Sequence, residues 1–478
     1  MQWTVRFLVG LLLMIWVDTA NGQGKILIRD VHIVDVSRGT LKKADAVLVE
    51  GPQILAIGKG RKLQRSPGIT QTIDGKGAFL IPGLWDMHVH LEGLDLVPDN
   101  QALLPVFLAY GITTVRDCAS NLGEQVLQWR TEIAKGRIKG PTIFTAGRKL
   151  EGKNSIWERD LEISNLQELK DSLDWLDQQQ VDFVKITENT LPGPLFLESV
   201  KAARARGYRV SGHVPYDLTI MQLADAGFTS IEHASYLLRL GNDEKSIRDS
   251  VANGLKTKAA AELDYLLRFN QEKARNAYRE LASKNVFVCP TLIGGKQLAY
   301  LSETDHSRDA SLAYLTRRFT SKYDWRIQRM AGETAAQQQQ RKDRYQLIRA
   351  QMPYIHAAGI RIIAGSDAAA LNTYVYPAVS LIEELEIFQE AGLSPAQILP
   401  TATLNGALYF GIGEKTGTID PGKEASLVLL DDNPLKDIRA LRKVRGVMQE
   451  GIYYNRQALD VLLSNAARSK LALDRSRE

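Results

Sequence analysis

The chain has 478 residues, a formal net charge of +5 at pH 7 and 24% charged residues, which is an ordinary composition for a globular protein. This length allows a large domain with an accessory domain, and no dense basic run with interleaved aromatic residues indicates nucleic-acid binding. We therefore expect a small-molecule ligand, and the sequence leaves homo-oligomer formation open. The two cysteines, Cys118 and Cys289, lie at the ends of different predicted strands, so we expect unpaired, buried thiols.

The first 22 residues are typical of a secretory signal peptide. Arg6 precedes an apolar run from residue 7 to residue 17, and the small residues Ala20 and Gly22 suit cleavage before Gln23. The apolar run is shorter than the roughly 20 residues that a membrane-spanning helix needs. We therefore expect an exported protein, periplasmic or secreted, with no integral membrane segment after cleavage.

Short strands and turns are predicted near both ends of the mature chain. Aliphatic and β-branched runs alternate with turns over residues 23–77, and the same pattern returns over residues 412–456. We predict a small β-sandwich domain built from both termini, followed by residues 457–478 as a C-terminal tail.

The middle of the chain, residues 78–411, alternates strand and helix patterns. Eight predicted strands, mostly followed by helical sequence, indicate an α/β fold of the TIM-like (β/α)8 barrel type. These strands cover residues 79–82, 112–116, 142–146, 183–186, 209–212, 230–232, 286–289 and 361–364. Helical insertions around residues 237–285 and 294–352 form either a lid over the barrel mouth or solvated surface excursions.

Six side chains that can bind metal lie at or just past the carboxyl ends of predicted strands. They are His88, His90, Lys185, His213, His233 and Asp367. His88 and His90 are two residues apart, so on an extended strand they face the same side and can share one ion. Lys185 lies between valine and isoleucine, where a cation is costly to bury, and carbon dioxide would convert its amine into a carbamate that bridges two ions. The pattern predicts a dinuclear metal centre at the barrel mouth.

Each of these residues alone also fits a structural role. A lysine at a strand end can extend its amine to solvent, single histidines are often satisfied in a core, and Asp367 precedes three alanines as a helix N-cap would. Only His32, His306 and His356 lie outside the set. Six such residues in barrel order favour the metal centre.

The motifs that carry these residues resemble those of the amidohydrolase superfamily. The resemblance rests on residues 86–90, which read Asp-Met-His-Val-His, on Lys185, on the two later histidines, on Gly-Ser-Asp at residues 365–367 and on tail motifs at residues 401–407 and 417–423. It covers roughly residues 25–454 and is closest to imidazolonepropionases and metal-dependent Xaa-Pro dipeptidases. Ser426 stands where such tails usually carry aspartate.

The resemblance implies a role for each ligand. His88 and His90 would hold the more buried ion, and His213 and His233 the more exposed ion. Carbamylated Lys185 would bridge the two ions. Asp367 would ligate the buried ion and carry a proton during catalysis. Zinc is the expected metal, with manganese or cobalt as alternatives.

The predicted activity is that of an exported dinuclear metal-dependent amidohydrolase, in which a metal-activated hydroxide cleaves a C–N amide bond. The expected substrate is an Xaa-Pro-like dipeptide or an N-acyl amino acid. A cyclic amide, a lactone or a phosphoester would suit the same centre, whereas a deaminase or a non-catalytic scaffold fits the ligand set less well. Arg116, Arg148 and Tyr236 are predicted to reach the substrate, with an arginine binding a carboxylate. Pairing of Arg116 with a nearby acid, and a purely structural Tyr236, are the alternatives.

Overall fold

The computed structural model describes residues 24–477, so the predicted signal peptide lies outside the described residues. The strands are β1 (Lys25–Asp35), β2 (Thr40–Leu41), β3 (Ala46–Glu50), β4 (Gln53–Gly58), β5 (Ile69–Pro82), β6 (Leu84–Val89), β7 (Ile112–Asp117), β8 (Thr142–Thr145), β9 (Leu150–Gly152), β10 (Leu161–Ile163), β11 (Val184–Ile186), β12 (Val210–Gly212), β13 (Ser230–Glu232), β14 (Phe287–Cys289), β15 (Arg361–Ile362), β16 (Leu427–Leu430), β17 (Val444–Gln449) and β18 (Ile452–Asn455).

The α-helices are α1 (Gly60–Leu63), α2 (Val97–Ala109), α3 (Glu124–Ala134), α4 (Leu166–Gln179), α5 (Gly193–Ala205), α6 (Ile220–Asp225), α7 (Glu244–Ala252), α8 (Lys258–Leu267), α9 (Gln271–Ser283), α10 (Leu292–Ala299), α11 (Arg317–Ser321), α12 (Asp324–Met330), α13 (Ala335–Ala357), α14 (Val379–Glu390), α15 (Pro395–Ile398), α16 (Leu404–Phe410) and α17 (Arg456–Ser476). Short 3-10 helices cover Ala234–Gly241, Ala310–Ala313, Leu399–Ala402 and Ile438–Arg442.

Strands from both ends of the described chain form one mixed sheet of eight strands. Its order is β18-β17-β16-β5-β1-β3-β4, with β2 paired to β1. β16 runs antiparallel to the last residues of β5, whereas β1 runs parallel to β5. Aliphatic side chains of this sheet, among them Ile33, Val47 and Leu427, are buried together. The second layer of the predicted β-sandwich does not form a separate sheet among residues 24–477.

The structure corrects the position of the first predicted barrel strand. Residues 79–82 belong to β5 and pair with β1 and β16, and the chain then passes through Gly83 into β6, which pairs with β7. A Cβ atom at Gly83 would lie 2.0 Å from Thr113 Oγ1, so this passage requires glycine. Residues 78–89 are almost continuously buried, and an unbroken apolar run does not mark where a chain changes sheets.

The strands of the middle segment are parallel. They form two sheets, β6-β7-β8 and β10-β9-β11-β12-β13-β14-β15, and the other seven predicted strands match them to within two residues. Backbone hydrogen bonds link the sheets at two places: Met87 N donates to Ala364 O at 2.8 Å, and Asp182 N donates to Thr145 O at 2.9 Å. This mixed α/β arrangement is consistent with a (β/α)8 barrel. It brings the residues that follow the parallel strands to one end of the sheets.

Helices fill the two long segments between strands and the end of the chain. Residues 242–285 hold α7 to α9, and residues 294–352 hold α11, α12 and most of α10 and α13. The predicted C-terminal tail is the helix α17, which packs against α2 and buries Leu459 and Ala466. Cys118 and Cys289 are buried and unpaired, as expected. Within residues 24–477, no helix has the length and apolar character to cross a bilayer.

Candidate metal centre

Four histidine side chains converge where the parallel strands end. His88 lies in β6 and His90 follows it, while His213 follows β12 and His233 follows β13. The Nε2 atoms of His88 and His90 are 3.2 Å apart, and those of His213 and His233 are 3.1 Å apart. Two nitrogen ligands on one tetrahedral zinc ion lie about 3.4 Å apart, because each Zn–N bond is about 2.0–2.1 Å. Each histidine pair therefore has the spacing of ligands that share one ion.

Asp367 joins the first histidine pair. Its Oδ1 atom is 3.3 Å from Nε2 of both His88 and His90, so the three atoms form a nearly equilateral triangle. The backbone of Asp367 has a φ of 61°, which non-glycine residues rarely adopt, and Asn372 Nδ2 donates to the Asp367 carbonyl oxygen at 2.6 Å. Burial by itself raises the pKa of the Asp367 carboxyl group. The neighbouring His88 and His90 have a larger, opposite effect, so the pKa lies well below its usual range. Asp367 therefore remains an ionised ligand.

The second ring nitrogen of each histidine has a partner of its own. The Nδ1 contacts are His88 with Glu232 Oε2 at 2.9 Å, His90 with the Ala119 carbonyl oxygen at 2.8 Å, His213 with Glu188 Oε2 at 2.9 Å and His233 with Thr291 Oγ1 at 2.7 Å. Such contacts fix the tautomer and leave Nε2 free to bind a metal ion. Burial lowers the pKa of His88 to about 4, which keeps this ring neutral and able to ligate.

Lys185 lies in the middle of the short strand β11. Its side chain is almost fully buried, and its Nζ atom has no hydrogen-bond partner among the residues that the structure describes. A buried amine without partners is costly, and carbamylation would replace it with two oxygen ligands. Lys185 lines the same cavity as His213, His233 and Asp367. The side chains present therefore fit two divalent ions bridged by a carbamylated lysine.

Arg116 lies in the protein interior, which corrects its predicted role in substrate binding. Its Nη2 atom donates to both carboxylate oxygens of Glu232, at 2.9 and 2.8 Å, and its Nε atom donates to Met87 O at 2.6 Å. Although burial raises the pKa of Glu232, the Arg116 charge and the contact with His88 hold it well below its usual range. Arg116 therefore supports the His88 ring through Glu232, as the alternative of pairing with an acid predicts.

Arg148 and Tyr236 are not among the side chains that line the cavity around the candidate ligands, and their contacts with substrate stay predictions. Arg148 Nη2 donates to Glu124 at 3.0 Å. Tyr236 Oη donates to Glu188 Oε1 at 2.8 Å, and Glu188 in turn contacts His213. Tyr236 thus positions a ligand histidine, and it lines a neighbouring cavity of about 710 Å³.

The main cavity has a volume of about 960 Å³ and is lined by five of the six predicted ligands, the exception being the fully buried His88. Sequence reasoning missed the side chains that form much of the remaining wall. They include Lys149, Trp157, Lys322, Trp325 and Arg326. Three of them come from the predicted insertion at residues 294–352, whereas residues 237–285 line the neighbouring cavity instead. No local pattern marks these residues, because their proximity depends on how distant segments pack.

Comparison with known proteins gives the family. Residues 79–452 match the model of the "Amidohydrolase family". A dihydroorotase from Geobacter metallireducens is 28% identical over 218 residues, which are 43% of this chain and 47% of that protein. An adenine deaminase from Thermosipho africanus is 33% identical over 115 residues, which are 23% of this chain and 19% of that protein. The chain thus spans less than half the length of either curated relative.

Solved structures share the fold over nearly the whole chain. A Xaa-Pro dipeptidase with bound methionine in its active site has a TM-score of 0.66 and 20% identity, and the match covers 90% of this chain and 100% of that one. A putative prolidase from Bifidobacterium longum has a TM-score of 0.64 and 22% identity, with 93% and 99% of the two chains covered. The family match extends over most of the sequence and confirms the resemblance seen in its motifs: the chain belongs to the amidohydrolase family.

Proposed function

We propose that this protein is an exported, dinuclear metal-dependent hydrolase that cleaves a C–N amide bond in an Xaa-Pro-like dipeptide or an N-acyl amino acid. The observation that carries the proposal is the convergence of four histidines, Lys185 and Asp367 on one site, with histidine spacings that suit shared ions. The Xaa-Pro dipeptidase and the putative prolidase among the structural neighbours support this choice of substrate.

In this proposal the parallel strands close into a (β/α)8 barrel, and residues 1–22 are a signal peptide that is removed before Gln23. His88, His90 and Asp367 would hold one ion, and His213 and His233 would hold the other. Lys185, once carbamylated, would bridge them. Zinc suits this set of nitrogen and oxygen ligands, with manganese or cobalt as alternatives.

When bound, the two ions would lower the pKa of a shared water molecule and polarise the substrate carbonyl. The protein's own residues do the remaining work. Asp367 accepts a proton from the attacking water at its carboxylate and returns it to the leaving amine. Glu232 and Glu188 hold the rings of His88 and His213 in place, so that the ligands do not have to reorganise during the reaction.

The test combines metal analysis with a substrate screen on one purified sample. The protein is loaded with zinc and bicarbonate and its metal content is measured by mass spectrometry. A library of dipeptides and N-acyl amino acids is then screened for released amine. Two ions per chain and release from a few members would support the proposal. Protein that binds no metal after reconstitution would contradict it.

Two variants separate catalysis by this centre from a contaminating activity. Asp367→Asn should lower the rate by about 100-fold or more, because it removes the proton carrier. Asp305→Asn, a matched change at an exposed loop position, should leave the rate unchanged. Two bound ions without amine release would instead favour cyclic amides, lactones or phosphoesters as substrates. Adenine is also included in the screen, because adenine deaminases are among the relatives.

A further inference from the structure

Two tryptophans face the main cavity from different segments of the chain. Trp157 lies in the loop between β9 and β10, and Trp325 lies in α12. Their ring centroids are 5.9 Å apart, with the planes at 57°. Both indoles are partly exposed and offer apolar surface to the cavity, beside the cations of Lys149 over Trp157 and of Arg329 over Trp325.

Arg326, the residue after Trp325, forms no ion pair with a carboxylate of the described residues, although the negative charges of Asp367 and Glu92 act on its guanidinium. Its Nε atom donates to Leu371 O at 3.0 Å, and its Nη2 atom donates to Asn372 Oδ1 at 2.5 Å. Both acceptors are neutral, and no carboxylate of the described residues lies within 4.0 Å of the guanidinium. Because Asn372 also donates to the Asp367 carbonyl oxygen, Arg326 is one side chain removed from the metal centre.

The two lysines in this part of the cavity wall differ from Arg326 because each of them forms an ion pair. Lys149 lies 3.7 Å from Asp160, and Lys322 lies 2.8 Å from Asp95. Each already has an acidic partner from the protein. A half-buried arginine that is held in place by neutral oxygens and has donors left over is suited to bind an incoming carboxylate.

We infer that Arg326 binds the free carboxylate of the substrate and that Trp157 and Trp325 bind a large apolar side chain next to it. The inference rests on the proposed amide hydrolysis and narrows the substrate to N-acyl amino acids or dipeptides with a free carboxyl terminus and a bulky apolar residue. Acids and other cations also line the cavity, among them Glu92 and Arg329, so the substitutions below are needed to assign the attraction to Arg326.

The test uses a ligand that the enzyme cannot hydrolyse. The probe is the ketomethylene isostere of N-acetyl-L-phenylalanine, in which a CH2 group replaces the amide NH, and the comparison ligand is its carboxamide. Binding of both to the zinc-loaded protein is measured by calorimetry. We expect the acid to bind about 10- to 100-fold more tightly than the carboxamide, as a charge-assisted contact provides.

Substitutions assign this preference to Arg326. Arg326→Met should bring the ratio of the two affinities close to one, and Arg326→Lys should restore part of it, with metal content measured for both proteins. Arg308→Met is the matched control, because Arg308 is an exposed arginine of the same insertion and does not line the cavity. Equal losses in the Arg326 and Arg308 variants would indicate a long-range attraction and overturn the inference.

The aromatic part is tested with a second pair of ligands. Trp157→Ala and Trp325→Ala should each weaken binding of the benzyl-bearing isostere about 10-fold relative to its methyl-bearing counterpart. An unchanged preference in both variants would overturn the assignment of this surface.

Failure of the inference and failure of the proposed function give different results. Hydrolysis of acid and carboxamide substrates at equal kcat/KM, with equal binding of the two isosteres, would overturn the inference and leave the proposed function standing. Binding that depends on Arg326, in a protein that releases no amine from any substrate, would contradict the proposed function and retain the carboxylate site.

Discussion

Lys185 is the residue that indicates the bridged metal centre most directly. It is buried in a strand, its Nζ atom lacks a hydrogen-bond partner within the described part of the protein, and it lines the cavity beside four other candidate ligands. An unmodified amine in this position is buried without a hydrogen bond to offset the lost contact with water. A carbamate with two ions removes that cost, which makes Lys185 the most direct point at which to test the centre.

Replacing Lys185 with alanine should reduce bound metal from two ions to one or none, because the bridge between them is lost. The measurement is metal content after reconstitution with zinc and bicarbonate. Added acetate or propionate should recover part of the metal, since a small carboxylate fits the space left by the side chain. A variant that keeps two tightly bound ions without such an additive would show that Lys185 does not bridge them.

Arg116 gives a prediction of a different kind, because its role is structural. Arg116→Met would leave Glu232 buried with one cationic partner fewer, and removing half of a buried ion pair costs about 3–5 kcal/mol. Urea unfolding at neutral pH should therefore show a large loss of stability. Arg137→Met, which breaks an exposed pair with Glu132, is the control and should change the midpoint little. A stable Arg116→Met protein with altered substrate preference would restore the original assignment of Arg116 to substrate binding.

The sequence identifies the candidate ligands better than the side chains that hydrogen-bond to them. Each candidate ligand stands near the end of a short apolar run, so a local pattern marks it. Their partners, such as Glu232 for His88 and Thr291 for His233, lie in or just after strands that are distant in the sequence. Nothing in the neighbouring sequence shows that these side chains meet, because the contacts exist only once the strands have paired.

Among the helices and strands, α17 differs most from the prediction, which described residues 457–478 as a C-terminal tail. Asn455, immediately before its first residue, caps the helix because its side chain accepts a hydrogen bond from Ala458 N. Its apolar face packs on α2, and Arg477 beyond its end donates to the buried carboxylate of Asp99 at 2.6 Å. The helix is polar enough on its other face that composition alone does not distinguish it from a solvated tail.

Deleting residues 456–478 should lower the melting temperature by several degrees, because it exposes the apolar surface of α2 and leaves Asp99 without its arginine. Metal content should not change, since α17 carries none of the candidate ligands. Removing only residues 477 and 478 is the matched control and should cost less, because α17 and its contact with α2 are kept. An unchanged melting temperature in the longer deletion would mean that α17 contributes no stability.

The strand boundaries show which elements the sequence predicts and which it does not. Seven predicted strands match parallel strands of the structure to within two residues, whereas residues 79–82 belong to the mixed sheet. The small strands β9 and β10 and the placement of α12 against the cavity have no period that a sequence reveals. The loop that carries Trp157 and the insertion that carries Trp325 are in contact, and no local sequence pattern indicates that they meet.

For the whole molecule, the candidate ligands connect strands that are far apart in the sequence. They lie in or just after β6, β11, β12, β13 and β15. Ions that bind this arrangement and not the unfolded chain stabilise the fold by about 2.7 kcal/mol when the free ion is at 100 times its Kd. Removing the metal with a chelator should therefore lower the melting temperature and lower the urea midpoint.

The same measurement on Lys185→Ala provides the control for that prediction. A variant that binds one ion or none is stabilised less by metal, so the chelator should lower its melting temperature less than that of the parent. Equal shifts in the two proteins would mean that the chelator acts elsewhere, and no shift in the parent would contradict a metal-linked fold.

The order of strands in the mixed sheet has a consequence for synthesis. β5 leads through Gly83 directly into the strand that carries His88, yet one of its neighbours, β16, is made several hundred residues later. Until residues 427–430 leave the ribosome, that side of β5 is an open edge, and open edges pair readily with other chains. Translation that stops before this point would therefore yield a protein that already holds all six candidate ligands and is nevertheless prone to aggregate.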